Sequence, residues 1–409
     1  MDQKAQELRE MFGRTGSGPL AGILVADFAR VLAGPYATML LADLGATVIK
    51  VEGPGGDDTR IWKPPVRGED ATYYLSVNRN KVDVVLDFND EGDLALAQEL
   101  ARRADVVVEN FKPGGLAKFG LDYESVSRAN PNVIYSSVTG FGPNNPQPGY
   151  DLLVQGLSGF MSLTGEPDGP PFRAGVAIFD VMTGLHTTVG ILAALQHRTN
   201  TGEGQKVDTN LLSSALSGLV NQTSAYVAGG VVPHRMGNEH PSLYPYQPMP
   251  TADGDLIIAC GNDRQFKVLA TVLDRPEWLA DDRFATAGPR NTNRKLLEPV
   301  LIEALSHKSA QEWYELLTAG GLPCAPINTI EQGVQLAERI GLEPVVEVTT
   351  GDRTVPTVRN PIFLSKSPVS YDLAPPELGQ DSELVRQWLG QDYQRGDEGA
   401  AAEASPAGR

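Results

Sequence analysis

The chain has 409 residues, and its 34 Lys and Arg against 51 Asp and Glu give a formal net charge of −17. So acidic a chain is unsuited to nonspecific binding of nucleic acid or anionic membrane, because both need clustered cations. Hydrophobic residues at 41% and charged residues at 21% are typical of a soluble globular protein, and the length predicts two or three domains.

The first part of the chain alternates strand patterns with helical patterns. Residues 34–45 and 91–104 have helical patterns, and Pro35 suits the first turn of its helix. Apolar runs typical of buried strands occur at 23–28, 47–52, 82–88, 105–111 and 132–142. Strands separated by helices in this way predict βαβ units and a parallel sheet, hence an α/β fold with a Rossmann-like large domain.

Beyond residue 150 the pattern becomes helical and then changes again. Helices are predicted over 151–161, 181–197 and 210–228. We expect a large domain at 20–228, a Gly- and Pro-rich linker at 229–254, a small α+β domain at 255–335 and a return to the large domain at 336–395. The N-terminal tail at 1–19 holds a possible short helix, and the low-complexity tail at 396–409 is predicted to be disordered.

Several motifs are missing from the sequence. The turn after the first strand is ARVLAGP and not G-x-G-x-x-G, and no P-loop, G-x-S-x-G or H-E-x-x-H occurs. His234 and His240 flank Glu239 with a spacing that fits no common ligand pattern, so no metal site is predicted.

The number of cysteines and the length of the apolar runs indicate the compartment in which the protein is expected. Only Cys260 and Cys324 occur, too few for a disulfide framework, which favours a reducing compartment. The N-terminus is hydrophilic, and the longest aliphatic run, 189–195, is far below the roughly 18 residues of a membrane span. We therefore expect a cytoplasmic protein.

One residue invites a chemical interpretation. Asp180 follows the apolar run GVAIF and precedes a long apolar helix. The simplest interpretation is a helix N-cap carboxylate. The alternative uses the same physics, because a carboxylate that a helix N-terminus keeps ionised can serve as a nucleophile.

Ordered blocks from about residue 20 to about residue 385 resemble the class III CoA-transferases, the family of formyl-CoA transferase and carnitine CoA-transferase. These blocks include DFARVLAGPYATMLLADLGATVIKVE, GDDTRIWKPP, TYYLSVNRNK, VVVENFKPG, GVAIFDVMTG and GNDRQF. Within the family they are most similar to members that use succinyl-CoA and glutarate. The resemblance implies ping-pong transfer of CoA from an acyl-CoA to a free carboxylic acid, with no permanently bound cofactor, by a homodimer of interlocked chains.

The resemblance also implies the site residues. Asp180 matches the family's catalytic aspartate, which carries the acyl group as a mixed anhydride and then CoA as a thioester. A leucine stands where formyl-CoA transferase has glutamine, which makes formyl and oxalyl substrates less suitable. The positions that match CoA-contacting or active-site segments are Arg30, Val31, Leu32, Ala33, Asn80, Lys81, Asn110, Phe111 and Lys118.

Two further groups complete the expected site. Tyr150 and Asp151 match a tyrosine–acid pair beside the transferase centre, whereas the related α-methylacyl-CoA racemases carry a histidine there. Tyrosine, with an ordinary pKa near 10, suits proton abstraction poorly and favours acyl transfer over racemisation. The resemblance places the small-domain loop of Gly261, Asn262 and Asp263 near the active-site mouth, although a strand-to-helix turn capped by Asp263 explains it equally well.

Two alternatives and one question stay open at this stage. The chain could be a racemase-type isomerase, or an acyl-CoA-binding paralogue without activity. The acceptor acid is undetermined, with Arg30, Arg235 and Arg264 as unranked candidate partners for its carboxylate.

Overall fold

The computed structural model describes residue 7, residues 10–14 and residues 18–390. The predicted disordered tail at 396–409 and most of the predicted N-terminal helix lie outside the described residues. The described chain divides into two compact units. Of the described residues, the first comprises those up to 158, those of 174–224 and those from 343 to 390, and the second comprises 159–173 and 225–342.

The first unit is built on a parallel six-stranded sheet, as the alternating pattern predicted. Its strands are β1 Leu24–Asp27, β2 Thr47–Glu52, β5 Lys81–Val85, β6 Val106–Glu109, β7 Ile134–Thr139 and β8 Gln205–Asn210. Their spatial order is β5-β2-β1-β6-β7-β8. Each neighbouring pair is parallel. This is the order of the doubly wound dinucleotide-binding folds, in which the chain reverses direction beside the first strand.

Helices and two small hairpins complete this unit. The helices are α1 Ala33–Asp43, α2 Thr72–Val77, α3 Glu91–Arg103, α4 Tyr123–Ala129, α5 Asp151–Leu157, α7 Ile178–Thr201 and α8 Leu211–Gly218. The hairpins are β3 Val66–Arg67 with β4 Asp70–Ala71, and β12 Val345–Thr350 with β13 Arg353–Val358. The returning C-terminal segment therefore forms its own hairpin and does not extend the main sheet.

The core of the first unit lies on both faces of the sheet. One buried cluster includes Leu24, Ile49 and Val107, and the other includes Val25, Val48 and Val108. Neighbouring positions along one strand thus enter opposite clusters, as strand geometry requires. Continuous apolar runs are typical of parallel strands buried on both faces.

The second unit has its own antiparallel sheet and core. Its strands β9 Tyr246–Pro250, β10 Asp255–Ala259 and β11 Cys324–Pro326 are ordered β11-β10-β9. Its helices are α6 Phe160–Leu163, α10 Asp263–Val272, α11 Ala287–Thr292, α12 Arg294–Leu305, α13 Ala310–Ala319 and α14 Ile330–Arg339, and α9 Val220–Val227 spans the boundary between the units. Strand β9 lies inside the predicted linker at 229–254. Residues 159–173, which were expected in the large domain, belong to the second unit.

Helix α7 is long and apolar enough, by length and composition alone, to cross a membrane. It is the one such helix among the described residues. Ile191 and Ala194 of this helix are buried in a core cluster of the first unit. Because a core helix meets the same criterion, we draw no membrane assignment from it.

Candidate active site

A pocket of about 560 Å³ lies where the strand order reverses between β1 and β6. Open α/β sheets bind their ligands beyond the carboxyl ends of the strands at such a reversal. The pocket brings together the predicted residues Arg30, Val31, Leu32, Ala33, Asn110, Phe111, Lys118, Tyr150 and Asp180. Asp151 lies one residue beyond Tyr150, at the start of α5.

Asp180 is the third residue of α7, and it does not cap that helix. The N-cap position belongs to Ala177, and no side chain caps the helix from there. Asp151 supplies the acceptor instead, because its Oδ1 accepts from the N–H groups of Phe179 at 2.7 Å and of Asp180 at 3.1 Å. Its Oδ2 accepts from Gln155, so Asp151 is held on both sides. The interpretation of Asp180 as a helix cap is therefore wrong. The carboxylate of Asp151, in α5, accepts the hydrogen bonds from the first N–H groups of α7 instead.

The Asp180 carboxyl group is left free to react. No hydrogen-bond donor within the described ranges contacts its oxygens. Burial, with a further contribution from the nearby Asp151 carboxylate, raises its pKa to about 7. The sequence analysis expected backbone N–H groups to keep Asp180 ionised. That expectation is wrong, because these N–H groups donate to Asp151.

Backbone amides in the loop that begins α1 are unpaired beside the same pocket. In the described part of the chain, the N–H groups of Leu32 and Ala33, two residues that line the pocket, donate no hydrogen bond. The first N–H groups of a helix lack intrahelical partners and attract negative charge. The pocket therefore combines a free carboxyl group with donors suited to a developing oxyanion.

Gly184 allows helices α1 and α7 to approach each other beside the pocket. A Cβ atom at this position would lie 2.7 Å from the Ala33 carbonyl oxygen and 3.0 Å from the Tyr36 ring. The glycine after Met-Thr in the motif that carries Asp180 is thus explained by packing.

We expect Gly184→Ala to lower the free energy of unfolding by about 1–3 kcal/mol, because backbone must move to admit the methyl group. The Ala33 backbone, which lines the pocket, would move with it, so activity is expected to fall as well. Denaturant unfolding and steady-state kinetics measure both effects. The control is Gly156→Ala in α5, where nothing lies within 4 Å of the added methyl group. Equal stability of the two variants would contradict the packing role.

Cations line the pocket although the chain is acidic. Arg30 lies over the Phe111 ring at 5.5 Å and 3.7 Å from Asp58, and its side chain is 51% exposed. Lys118 lies over the Phe119 ring at 4.4 Å. Lys112, which the sequence analysis did not single out, lines the pocket beside them. This local basic patch can meet a polyphosphate ligand on an acidic protein.

Asn110 lines the pocket, and its side chain also binds the backbone of the loop after β1; its expected contact with a ligand stays a prediction. Its Oδ1 accepts from the Arg30 N–H at 2.9 Å and its Nδ2 donates to the Arg30 carbonyl at 2.7 Å. The amide of Asn110 therefore holds the loop after β1 in place.

Asn80 and Lys81 do not line the pocket, which corrects their expected place beside a ligand. Lys81 is 1% exposed, and its ammonium donates to Asp27 at 3.0 Å and to Asn78 at 2.9 Å. Asn80 is fully buried and donates to Asp43 at 2.8 Å. Both side chains stabilise the interior of the first unit, where the cost of burying a cation has to be met by partners.

Tyr73, which the sequence analysis did not single out, lies near the carboxylates of Asp180 and Asp151 but is not among the residues that line the pocket. Burial, with further contributions from the carboxylates of Asp180, Asp151 and Asp57, raises the pKa of Tyr73 to about 12. Its phenol therefore lies in the field of both carboxylates of the site and stays protonated at neutral pH, so it can donate. Tyr73 also lines a second, more open pocket together with Trp62 and Lys63. The quoted block TYYLSVNRNK contained it, but its pattern carried no chemical signal.

Gly261, Asn262 and Asp263 lie in the second unit, at the start of α10. Asn262 caps that helix by accepting from the Gln265 N–H, so the cap is Asn262 and not the expected Asp263. Asp263 pairs with the buried Arg290 at 2.9 Å. Their expected place at the mouth of the site stays a prediction.

The sequence matches one enzyme family over most of its length. The family model "CoA-transferase family III" matches residues 20–382, and the chain belongs to this family of enzymes, whose substrates are CoA thioesters. The succinate–glutarate CoA-transferase of Agrobacterium fabrum is 46% identical over 385 residues, which cover 90% of this chain and 94% of that protein. The acetyl-CoA:oxalate CoA-transferase of Acetobacter aceti is 40% identical and covers 78% of this chain and 84% of its own length.

A solved structure shows the same architecture. A CAIB/BAIF family protein from Brucella suis superposes with a TM-score of 0.81 at 42% identity. The match covers 91% of this chain and 99% of that one. The predicted α/β class with a parallel sheet is therefore confirmed.

Proposed function

We propose that the protein transfers CoA from succinyl-CoA to a dicarboxylic acid such as glutarate, with Asp180 as the covalent nucleophile. The observation that carries this proposal is the unpaired Asp180 carboxyl group in a pocket that also holds free backbone amides and a cationic patch. The carboxylate attacks the thioester, the amides stabilise the oxyanion, and the cations bind the CoA phosphates.

The reaction proceeds in balanced covalent steps. A carboxylate oxygen of Asp180 attacks the thioester carbonyl, and the C–S bond breaks to leave an aspartyl–acyl anhydride and CoA thiolate. The thiolate attacks the aspartyl carbonyl and releases the first acid, which leaves an aspartyl-CoA thioester. The acceptor carboxylate attacks this thioester, and the expelled thiolate then attacks the acceptor's acyl carbonyl and restores free Asp180. Every step exchanges one activated acyl group for another, so no ATP is consumed.

The amides at the start of α1 suit the charge that develops in these steps. Each attack places negative charge on a carbonyl oxygen, and preorganised N–H groups in a pocket with little water stabilise such charge strongly. Leu32 and Ala33, which line the pocket, offer N–H groups that have no partner within the described residues. Loss of one such donor in other enzymes costs about 10²–10³-fold in kcat.

The choice of succinyl-CoA and glutarate as substrates rests on similarity to known transferases and on the side chain of Leu32. The relative from Agrobacterium fabrum is a succinate–glutarate transferase at 46% identity, and the oxalate-specific relative is 40% identical. Leu32 lines the pocket and is 7% exposed, so an apolar side chain stands where formyl-CoA transferase has a polar one. Such a surface favours the methylene chain of glutarate over the fully polar oxalate.

Mass spectrometry of reaction mixtures tests the proposal. Purified protein is incubated with succinyl-CoA and, separately, with glutarate, oxalate, mesaconate and monocarboxylic acids, and the new acyl-CoA products are quantified. We expect glutaryl-CoA as the leading product. No product from any acid, together with α-deuterium exchange in D₂O, would instead support the racemase chemistry and end the transferase proposal.

Tyr73 gives a prediction about recognition of the acid. We expect Tyr73→Phe to lower kcat/KM for the acceptor acid by about tenfold, because one hydrogen bond from the phenol to a charged group is lost. The kinetics are measured at several fixed concentrations of each substrate, which separates the acid from the acyl-CoA. Tyr74→Phe is the matched control, because that phenol bonds the buried Arg60 and acts in folding. Equal effects of the two variants on the acid would exclude the role of Tyr73.

We also propose that the protein is a homodimer. Exposed apolar side chains occur on α5, α7 and α8, where Leu157, Val189 and Leu216 are 66%, 64% and 42% exposed. Large contiguous apolar patches are uncommon on monomers and mark interaction surfaces. Light scattering coupled to gel filtration tests the dimer, and a monomeric mass at micromolar concentration would reject it.

A further inference from the structure

Val31, in the loop that lines the candidate active site, has an unusual backbone conformation. Its φ is +69°, in the left-handed region that a β-branched residue rarely occupies. A residue held in such a conformation at a functional site needs surrounding structure that over-determines it. In this protein that structure is a buried ion pair.

The two charged residues of the pair bind the backbone of this loop directly. The Asp57 carboxylate accepts from the Val31 N–H at 3.2 Å and 3.3 Å, one distance to each oxygen. The Lys50 ammonium donates to the Ala29 carbonyl at 3.0 Å and to Asp57 at 3.0 Å. Neither charged side chain has any exposed surface. The ion pair thus binds the loop on both sides of Arg30.

The pair is itself fixed by rigid structure. Lys50 belongs to the central strand β2. Asp57 caps the short helix at Asp58–Ile61 and accepts from both the N–H and the hydroxyl of Thr59, at 2.9 Å and 2.7 Å. Burial alone lowers the pKa of Lys50, but the carboxylates of Asp57, Asp27 and Glu52 outweigh it and raise the pKa. Both partners therefore keep their charges at neutral pH.

From these contacts we infer that Lys50 and Asp57 are positioning residues for CoA transfer. They hold Val31 in its left-handed conformation, so that Leu32 and the free amides at the start of α1 keep their places in the pocket with Asp180. This inference rests on the proposed function of that site. Neither residue lines the pocket, so their effect is exerted through the loop.

The inference predicts a much larger loss in turnover than in CoA binding. We expect Asp57→Ala to lower kcat about 100-fold, as a misplacement near 1 Å does in other enzymes. The Kd for CoA is expected to rise less than about tenfold, because Arg30 moves with the loop while Lys112 and Lys118 lie outside it. Glycine adopts positive φ readily. We therefore expect Val31→Gly to restore kcat at least about tenfold when it is added to Asp57→Ala.

The experiment compares four folded proteins: wild type, Asp57→Ala, Val31→Gly/Asp57→Ala and Asp105→Ala. Asp105 is the matched control, because its carboxylate accepts from the Leu24 N–H at the other end of β1 and pairs with Arg198. Asp105→Ala is expected to lower stability but to leave kcat of the folded protein unchanged. If removal of one charge prevents folding, Lys50→Met/Asp57→Ala removes both and gives the same comparison.

A crystal structure of Asp57→Ala supplies a readout that does not depend on activity. We expect Val31 to relax to negative φ and Leu32 to shift. Wild-type kcat in Asp57→Ala, no rescue by Val31→Gly, or an unchanged loop in the crystal would each overturn the inference. If the wild type transfers no CoA to any acid, the proposed function fails, and the crystal structure still decides whether the pair holds the loop.

Discussion

Asp180→Ala is expected to abolish CoA transfer, with a fall in kcat of at least about 10⁴-fold, because no covalent route exists without the carboxylate. Product formation from succinyl-CoA and glutarate, followed by mass spectrometry, measures the loss. The intact wild-type protein, incubated with succinyl-CoA and denatured in acid, is expected to gain the mass of an acyl or CoA adduct. Peptide mapping is expected to place that adduct on Asp180, and the variant should show none.

Asp180→Asn provides the control for folding. The folded-state pKa of Asp180 is about 7, above its ordinary value of 3.8. Ionisation therefore costs the folded state stability as the pH rises from about 4 to 7, and asparagine avoids that cost. We expect the variant to be more stable than the wild type by about 4 kcal/mol at pH 8 and equally stable near pH 4. An unstable, unfolded variant, or one that retains activity, would contradict the assignment of Asp180.

The sheet could be predicted from the sequence because its strands are buried on both faces. Runs such as 23–28 and 105–111 are mostly apolar, and the segments between them follow helical spacing. Strand β8 was missed for the opposite reason. Its sequence QKVDTN is polar and its residues are only partly buried, as suits a strand at the edge of the sheet.

The location of the site could be predicted only in part. The resemblance found Asp180 and the loop of Arg30 to Ala33, because those residues adjoin in sequence within recognisable blocks. The same blocks led to Asn80 and Lys81, which point into the interior. Two residues that are neighbours in a sequence motif can lie on different sides of a strand or turn, and the motif does not show which.

Roles that depend on three-dimensional contacts could not be predicted at all. Asp151, and not Asp180, accepts from the first N–H groups of α7, and these two residues lie 29 positions apart in the sequence. The contact of Asp57 with Val31 joins residues 26 positions apart. Nothing in the local pattern of GDDTR distinguishes the buried Asp57 from the exposed Asp58.

The raised pKa of Asp180 leads to a prediction about pH. Attack requires the ionised carboxylate, and the pKa of Asp180 is about 7 because burial and the Asp151 carboxylate oppose its charge. We expect kcat/KM for succinyl-CoA to reach a plateau above pH 7 and to fall tenfold per pH unit below it. Steady-state rates between pH 5.5 and 8.5 test this, because kcat/KM for succinyl-CoA in a ping-pong reaction does not depend on the ionisation of the acceptor acid.

Asp151→Asn separates the two causes of that pKa. The asparagine oxygen still accepts from the N–H groups of Phe179 and Asp180, but the neighbouring negative charge is lost. The midpoint of the pH profile is therefore expected to move to lower pH, while burial keeps it above the ordinary value for aspartate. Asn Nδ2 would face the Gln155 Nε2, which donates to Asp151 in the wild type, so some stability is lost as well. A flat wild-type profile across this range would show that Asp180 is ionised throughout. An unmoved midpoint in Asp151→Asn would instead leave burial as the sole cause of the raised pKa.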